Sequence, residues 1–213
     1  MTSRLYKHGS WLVLVLALGF CGTAKADTVS VDGTYPFSSG GYGIPPYGGT
    51  LTSNGVTQST QFYCVDFSDE ISGGMSWNAT VTSLTAPTSS FASTFLAVKD
   101  GFSAGQAQTM YMAMAYLVSQ MMGTSNQGMQ AQYQFAIWSL TGGPQSSTST
   151  SLIQAAVNYV KSGKFNAAGW EILTPTGKTG QEFLVYAAEP SVLAMLFAGL
   201  LALALIAHKR LGA

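Results

Sequence analysis

Two apolar runs, one near each end of this 213-residue chain, set how much of it is left to fold in water. The first, Trp11 to Phe20, follows Arg4 and Lys7 and precedes Ala24-Lys25-Ala26. A basic start, an apolar stretch of about ten residues and an A-x-A site have the form of a secretory signal peptide. Cleavage is expected after Ala26, with Ala24 and Ala26 as the small residues of the site. A lipoprotein reading at Cys21 is disfavoured, because bulky Phe20 precedes that cysteine. The second run, Val192 to Ala207, is sixteen residues long. As a helix it would reach roughly 24 Å, slightly short of a bilayer core. His208, Lys209 and Arg210 follow at once, and basic residues at the end of a span favour the cytoplasmic side. The expected plan is a signal peptide over 1–26, an exported domain over 27–187 and a tail over 188–213 with a transmembrane helix at 192–207.

Glu189-Pro190-Ser191, the apolar span and Lys209-Arg210 together resemble the PEP-CTERM sorting signal of Gram-negative bacteria. Members usually carry Pro-Glu-Pro, and here Ala188 takes the first proline position. The resemblance implies export through the inner membrane and transient anchoring by the tail. It also implies processing by an exosortase-type enzyme and a place at the cell surface or in the extracellular matrix, commonly alongside exopolysaccharide.

Residues 27 to 189 hold nine acids against four lysines, Lys99, Lys161, Lys164 and Lys178, a net charge near −5. With no basic patch, nucleic acid is not an expected partner. The length suits one domain with a real core. Residues 33–49 (GTYPFSSGGYGIPPYGG) read as loop or edge structure. Thr50-Leu51-Thr52 then Asn54-Gly55 reads as a strand entering a tight turn. Residues 57–67 follow as a strand, and 76–84 alternate as its expected antiparallel partner. The middle is helical. Residues 104–122 carry a stripe at Met110, Met114, Leu117, Val118 and Met121, read as core packing rather than a ligand box. Ser125 is the expected cap of a second helix over 126–140, and a third covers 151–161. Strands at 170–174 and 182–186 close the domain across a Pro-Thr-Gly turn. The expected class is α+β, an antiparallel β-sandwich or barrel-like sheet with an inserted helical segment.

The exported part contains no histidine and one cysteine, Cys64, in "QFYCVDFSDE". Catalysis by Cys-His or Ser-His-Asp needs an imidazole, and the usual zinc sites need more Cys or His than this chain supplies. No cofactor and no metal are expected. One cysteine cannot form an intramolecular disulfide. Asp66, Asp69 and Glu70 lack the register and central glycine of an EF-hand. They also lack the separate-element placement of a glycosidase pair. The expectation for them is an acidic strand end meeting water, and the chain is not expected to be an enzyme.

One chemistry suits a lone thiol without histidine: an internal thioester to a glutamine side chain, formed in near-attack geometry and kept from water. The second helix offers Gln134 with Trp138 one turn on, on the same face. "YCVD" and "QFAIW" together resemble the thioester domains of Gram-positive surface adhesins, in which a strand cysteine and a helix glutamine form the bond. That resemblance implies a bond between Cys64 and Gln134 and capture of an external amine. Tyr63 and Trp138 are the expected shields. "PYGGTLTSNG", "YCVDFSDEI", "SWNATVTSL", "AYLVSQ" and "AIWSL" also resemble exported PEP-CTERM proteins. The residues themselves leave two readings open: the thioester, or a buried free thiol packed under Trp138 in a structural or binding surface protein.

Overall fold

The computed structural model describes residues 27–177, 179–187 and 199–200. The signal segment with Ala24 and Ala26, and the sorting residues Glu189, Pro190, Ser191, Lys209 and Arg210, lie outside them. So does the span 192–207, apart from Gly199 and Leu200, which are helical. Among the described residues no helix is long and apolar enough to cross a membrane.

Among the described residues eight strands form: β1 (Asp27–Val31), β2 (Phe37–Ser39), β3 (Tyr42–Ile44), β4 (Tyr47–Ser53), β5 (Val56–Cys64), β6 (Ser76–Ser83), β7 (Trp170–Pro175) and β8 (Phe183–Tyr186). Six of them close a barrel in the order β1-β4-β5-β8-β7-β6, every pair antiparallel. β2 and β3 make a separate hairpin, inside the segment expected to be loop or edge. The helices lie between β6 and β7: a 3-10 turn (Thr88–Ser93), α1 (Phe95–Val98), α2 (Ala104–Met122), α3 (Gln127–Trp138) with a following 3-10 turn (Ser139–Thr141), and α4 (Ser149–Lys161). The class is α+β with a barrel-like sheet and an inserted helical segment.

Two sequence expectations need correction. β6 does not pair with β5; it runs between β1 and β7. Alternation fixes which face of a strand is buried, but says nothing of which strand lies beside it. The cap of α3 is Asn126, whose side chain accepts from the Met129 amide at 3.1 Å, and not Ser125.

The local reasons are ordinary. Asn54 and Gly55 both have positive φ, 51° and 80°, as a two-residue hairpin between β4 and β5 requires. Ser103 and Gln106 form a reciprocal capping box at the start of α2. Gly49 is needed for close approach: a Cβ there would stand 2.1 Å from the Ser30 carbonyl oxygen on β1.

The core has two halves, separated by the barrel wall. Inside the barrel pack Val29, Val31, Phe62, Cys64, Trp77, Leu173, Phe183 and Val185. Between the wall and the helices pack Tyr63, Val65, Leu96, Tyr111, Met114, Leu117, Val118, Met121, Ile172 and Leu184. Each fully buried large apolar side chain contributes about 1.5–3 kcal/mol. The expected α2 stripe belongs to this second half, with Met110 only half-buried at its edge.

One charged group sits in that second half. Glu182, just before β8, is 1% exposed. Its carboxylate accepts from the Tyr111 hydroxyl at 2.5 Å, the Thr174 hydroxyl at 2.6 Å and the Phe95 amide at 3.0 Å. Tyr111 in turn accepts from the Leu96 amide at 3.0 Å. A single carboxylate thus ties α1, α2 and β7 to the β8 strand. Burial pushes its pKa from 4.5 up to about 7, although the three donors work the other way. The folded state therefore holds a proton that the unfolded chain has lost between those values. Stability from this group is full below the ordinary carboxylate range and declines as pH rises towards 7. Thermal unfolding from pH 5 to pH 8 is expected to show a falling midpoint, worth on the order of 3 kcal/mol from Glu182. In Glu182→Gln that slope flattens. A slope unchanged by the substitution would remove Glu182 as its source.

Candidate functional site

Successive residues at the end of β5 face opposite sides of the wall, as strand geometry demands. Phe62 and Cys64 point into the barrel. Tyr63 and Val65 point to the helices. Tyr63, expected as a shield over the cysteine, packs in the other half of the core and does not cover it. Period-two alternation carried that signal in the sequence.

Helix α3 lies against the same strand end. Ala131, Gln134 and Trp138, spaced three and four residues apart, share a buried face. Gln134 is fully buried, and its Nε2 donates to the Cys64 carbonyl oxygen at 2.8 Å. Trp138 is 3% exposed, and its Nε1 donates to Cys64 Sγ at 3.0 Å. The thiol donates to the Asp66 carbonyl oxygen at 3.1 Å. Cys64 is free and 1% exposed. The strand cysteine and the helix glutamine, about seventy residues apart in sequence, are thus in direct hydrogen-bonded contact. The Gln134 Oε1 atom, by contrast, is buried with no partner. An unmade hydrogen bond at such an atom costs about 1–3 kcal/mol.

Burial pushes the Cys64 thiol well above its ordinary pKa, and the Trp138 N–H opposes that only in part. Nearby Asp66 adds to the rise. At neutral pH the sulfur carries its proton.

Thr141 closes the strand end against the helix end. Its hydroxyl donates to the Val65 and Trp138 carbonyl oxygens, each 3.2 Å away, and accepts from the Phe67 amide at 3.2 Å. Gly143 lets the chain pass beneath this joint; a Cβ would stand 2.6 Å from the Phe67 ring and 2.8 Å from Trp138 Cβ. Three rings then cover Trp138: Phe67 at 5.4 Å, Tyr42 at 5.9 Å and Phe135 at 5.9 Å between centroids. Tyr42 comes from the β2–β3 hairpin, so that excursion forms the outer cover. None of these three was singled out from sequence, although Phe67 belongs to the stretch around Cys64 and Tyr42 to the aromatic-glycine segment before β4.

The acidic end of the stretch is not a solvated strand end. Asp66 is 2% exposed. Lys99, 33 residues on, bridges Asp66 at 3.2 Å and Asp69 at 2.5 Å. Burial and Asp69 push Asp66 upward. Asp69, which burial would also raise, is held below its ordinary value by Asp66 and Lys99. Only Glu70 of the three is exposed. Gln181 braces the turn from β8's side, donating from Nε2 to the Asp66 and Asp69 carbonyl oxygens. Among the described residues, no group of three or more His, Cys, Asp or Glu is placed to hold a metal ion.

No family profile, curated protein or solved structure matches this chain.

The geometry sets a reactivity. In a Gln134→Ala variant, where Cys64 has no amide to join, the folded thiol is expected to resist iodoacetamide at pH 8, since it is both buried and protonated. Adding Trp138→Ala removes the indole over the sulfur and is expected to raise the alkylation rate by at least about tenfold. Equal rates in the single and double variants would show that Trp138 does not cover the sulfur.

Proposed function

We propose that this protein is exported through the inner membrane and held transiently by its C-terminal segment. An exosortase-type enzyme then processes it at the PEP-CTERM-like signal around Glu189-Pro190-Ser191. It serves at the cell surface or in an exopolysaccharide-associated matrix. There it stores an acyl group as a Cys64–Gln134 thioester that captures an amine-bearing surface once. It is not a turnover catalyst and uses no cofactor.

The observation that carries the chemical part is the buried contact of Cys64 with Gln134 beneath Trp138. In the forming step the thiol sulfur attacks Gln134 Cδ. The S–H and C–N bonds break, the S–C bond forms, and the thiol proton leaves with the nitrogen as ammonia. Hydrogen bonds hold Gln134 on the Cys64 backbone carbonyl and the sulfur under Trp138, which lowers the entropic cost of bringing the two groups together. The orphaned Gln134 Oε1 favours the product. A thioester oxygen is a weaker acceptor than an amide oxygen, so leaving it unpaired in an apolar site costs less. The aromatic cover keeps water from the stored bond. Capture by an external amine reverses the bonding: the amine nitrogen joins Cδ, and the sulfur regains a proton.

A second reading, a non-catalytic surface protein with Cys64 as a packed thiol, draws on the S–H bond to Asp66, which satisfies the free thiol. Intact mass separates the two. The thioester form is expected to weigh about 17 Da less than the sequence, the mass of ammonia, and to gain about 31 Da with methylamine. Cys64→Ala should abolish both changes. A full-mass protein with alkylatable Cys64 after unfolding would leave only the packed thiol.

A further inference from the structure

Over the outer face of Trp138 lies an open cleft of about 460 Å³. Its lining includes the rings of Tyr42, Phe67 and Trp138 and the polar side chains of Asp69, Glu70 and Gln181. Several of the donors around it are committed elsewhere. Trp138 Nε1 points to Cys64 Sγ, the Tyr47 hydroxyl to the Gly43 carbonyl oxygen, and Gln181 Nε2 to the Asp66 and Asp69 carbonyl oxygens. What remains is the Tyr42 hydroxyl, several acceptors and the ring faces. The Asp69 carboxylate is bridged by Lys99, which stands outside the lining. Glu70 is exposed and has no hydrogen-bond or ion-pair partner among the described residues. Gln181 is only 6% exposed, yet its side-chain oxygen has no partner. Tyr42 is 41% exposed and stands edge-on to both Phe67 and Trp138.

Buried acceptors are rarely left unpaired. The open Glu70 carboxylate and the Lys99-bridged Asp69, beside aromatic faces, favour a cation through charge and through the ring quadrupole. We propose that this cleft is a binding site for a cationic, donor-rich side-chain group, a guanidinium or alkylammonium on the surface that the protein meets. The group stacks on Tyr42 and Phe67 and donates to Asp69, Glu70 and Gln181. The site is separate from the reacting amine: it selects partners that carry a second positive charge near the amine to be captured. In that last respect it rests on the thioester reading, because Trp138 is the wall shared by the cleft and Cys64.

The test avoids the reaction altogether. Butylguanidinium, a cation without a nucleophilic amine, and butylurea, its neutral counterpart, are titrated into the full chain. The Trp138 indole N–H signal is followed by NMR. Butylguanidinium is expected to bind saturably, and butylurea at least about tenfold more weakly. Glu70→Gln and Tyr42→Ala, both at exposed side chains outside the Cys64 contacts, are each expected to weaken the cation about threefold or more. Equal binding of the two probes, or cation binding that survives both substitutions, overturns the assignment. A protein of full mass that still binds butylguanidinium selectively would remove the thioester and leave the cation site standing.

Discussion

The structure turns on one joint, where the last residues of β5 meet the face of α3. A strand that ends inside a core leaves backbone groups needing partners, and buried groups without them are costly. Here the Cys64 carbonyl is met by Gln134, the Val65 carbonyl and Phe67 amide by Thr141, and the Asp66 carbonyl by the thiol and Gln181. The helix therefore fastens to the barrel through polar bonds in an otherwise apolar setting. The two core halves, inside the barrel and under the helices, are held in register by this joint and by the Glu182 network on the neighbouring strand.

The same requirement brings together the two residues of the proposed thioester. A glutamine recruited to satisfy a strand carbonyl brings its amide carbon to the residue whose side chain is a thiol. A tryptophan one turn on reaches the sulfur. Neither residue would be fixed this tightly on an exposed surface, where side-chain freedom and water compete. The layered rings of Phe67, Phe135 and Tyr42 extend that dry region outward until it meets the acidic turn. The transition from ring faces to carboxylates happens within one cleft.

Much of this was legible in the sequence where local rules decide. The span of α2 follows from its 3.6-residue stripe, and the β4–β5 hairpin from Asn54-Gly55. The thioester pairing of Cys64 with Gln134 was expected from a resemblance and from the helix face shared with Trp138; the structure brings the two residues into hydrogen-bonded contact. What stayed hidden depends on residues far apart in the chain. Nothing near Asp66 announces Lys99. Nothing near Glu182 announces Tyr111. β6 shows its buried face but not its neighbours. Tyr63 is a different case, since alternation from Cys64 already placed it on the far side of the wall. The charged groups misread as solvent-facing are those whose partners come from another element.

The proposed thioester is a covalent bond between Cys64 and Gln134 in the mature fold. It is tested most directly by observing the Gln134 side-chain carbonyl carbon. In protein labelled with carbon-13 at the glutamine side-chain carbonyl, one resonance should lie well downfield of the amide group, in the thioester region. It should return to the amide region in Cys64→Ala. A folded protein in which every labelled glutamine carbon resonates as an amide would contradict the account and leave Cys64 as a packed thiol.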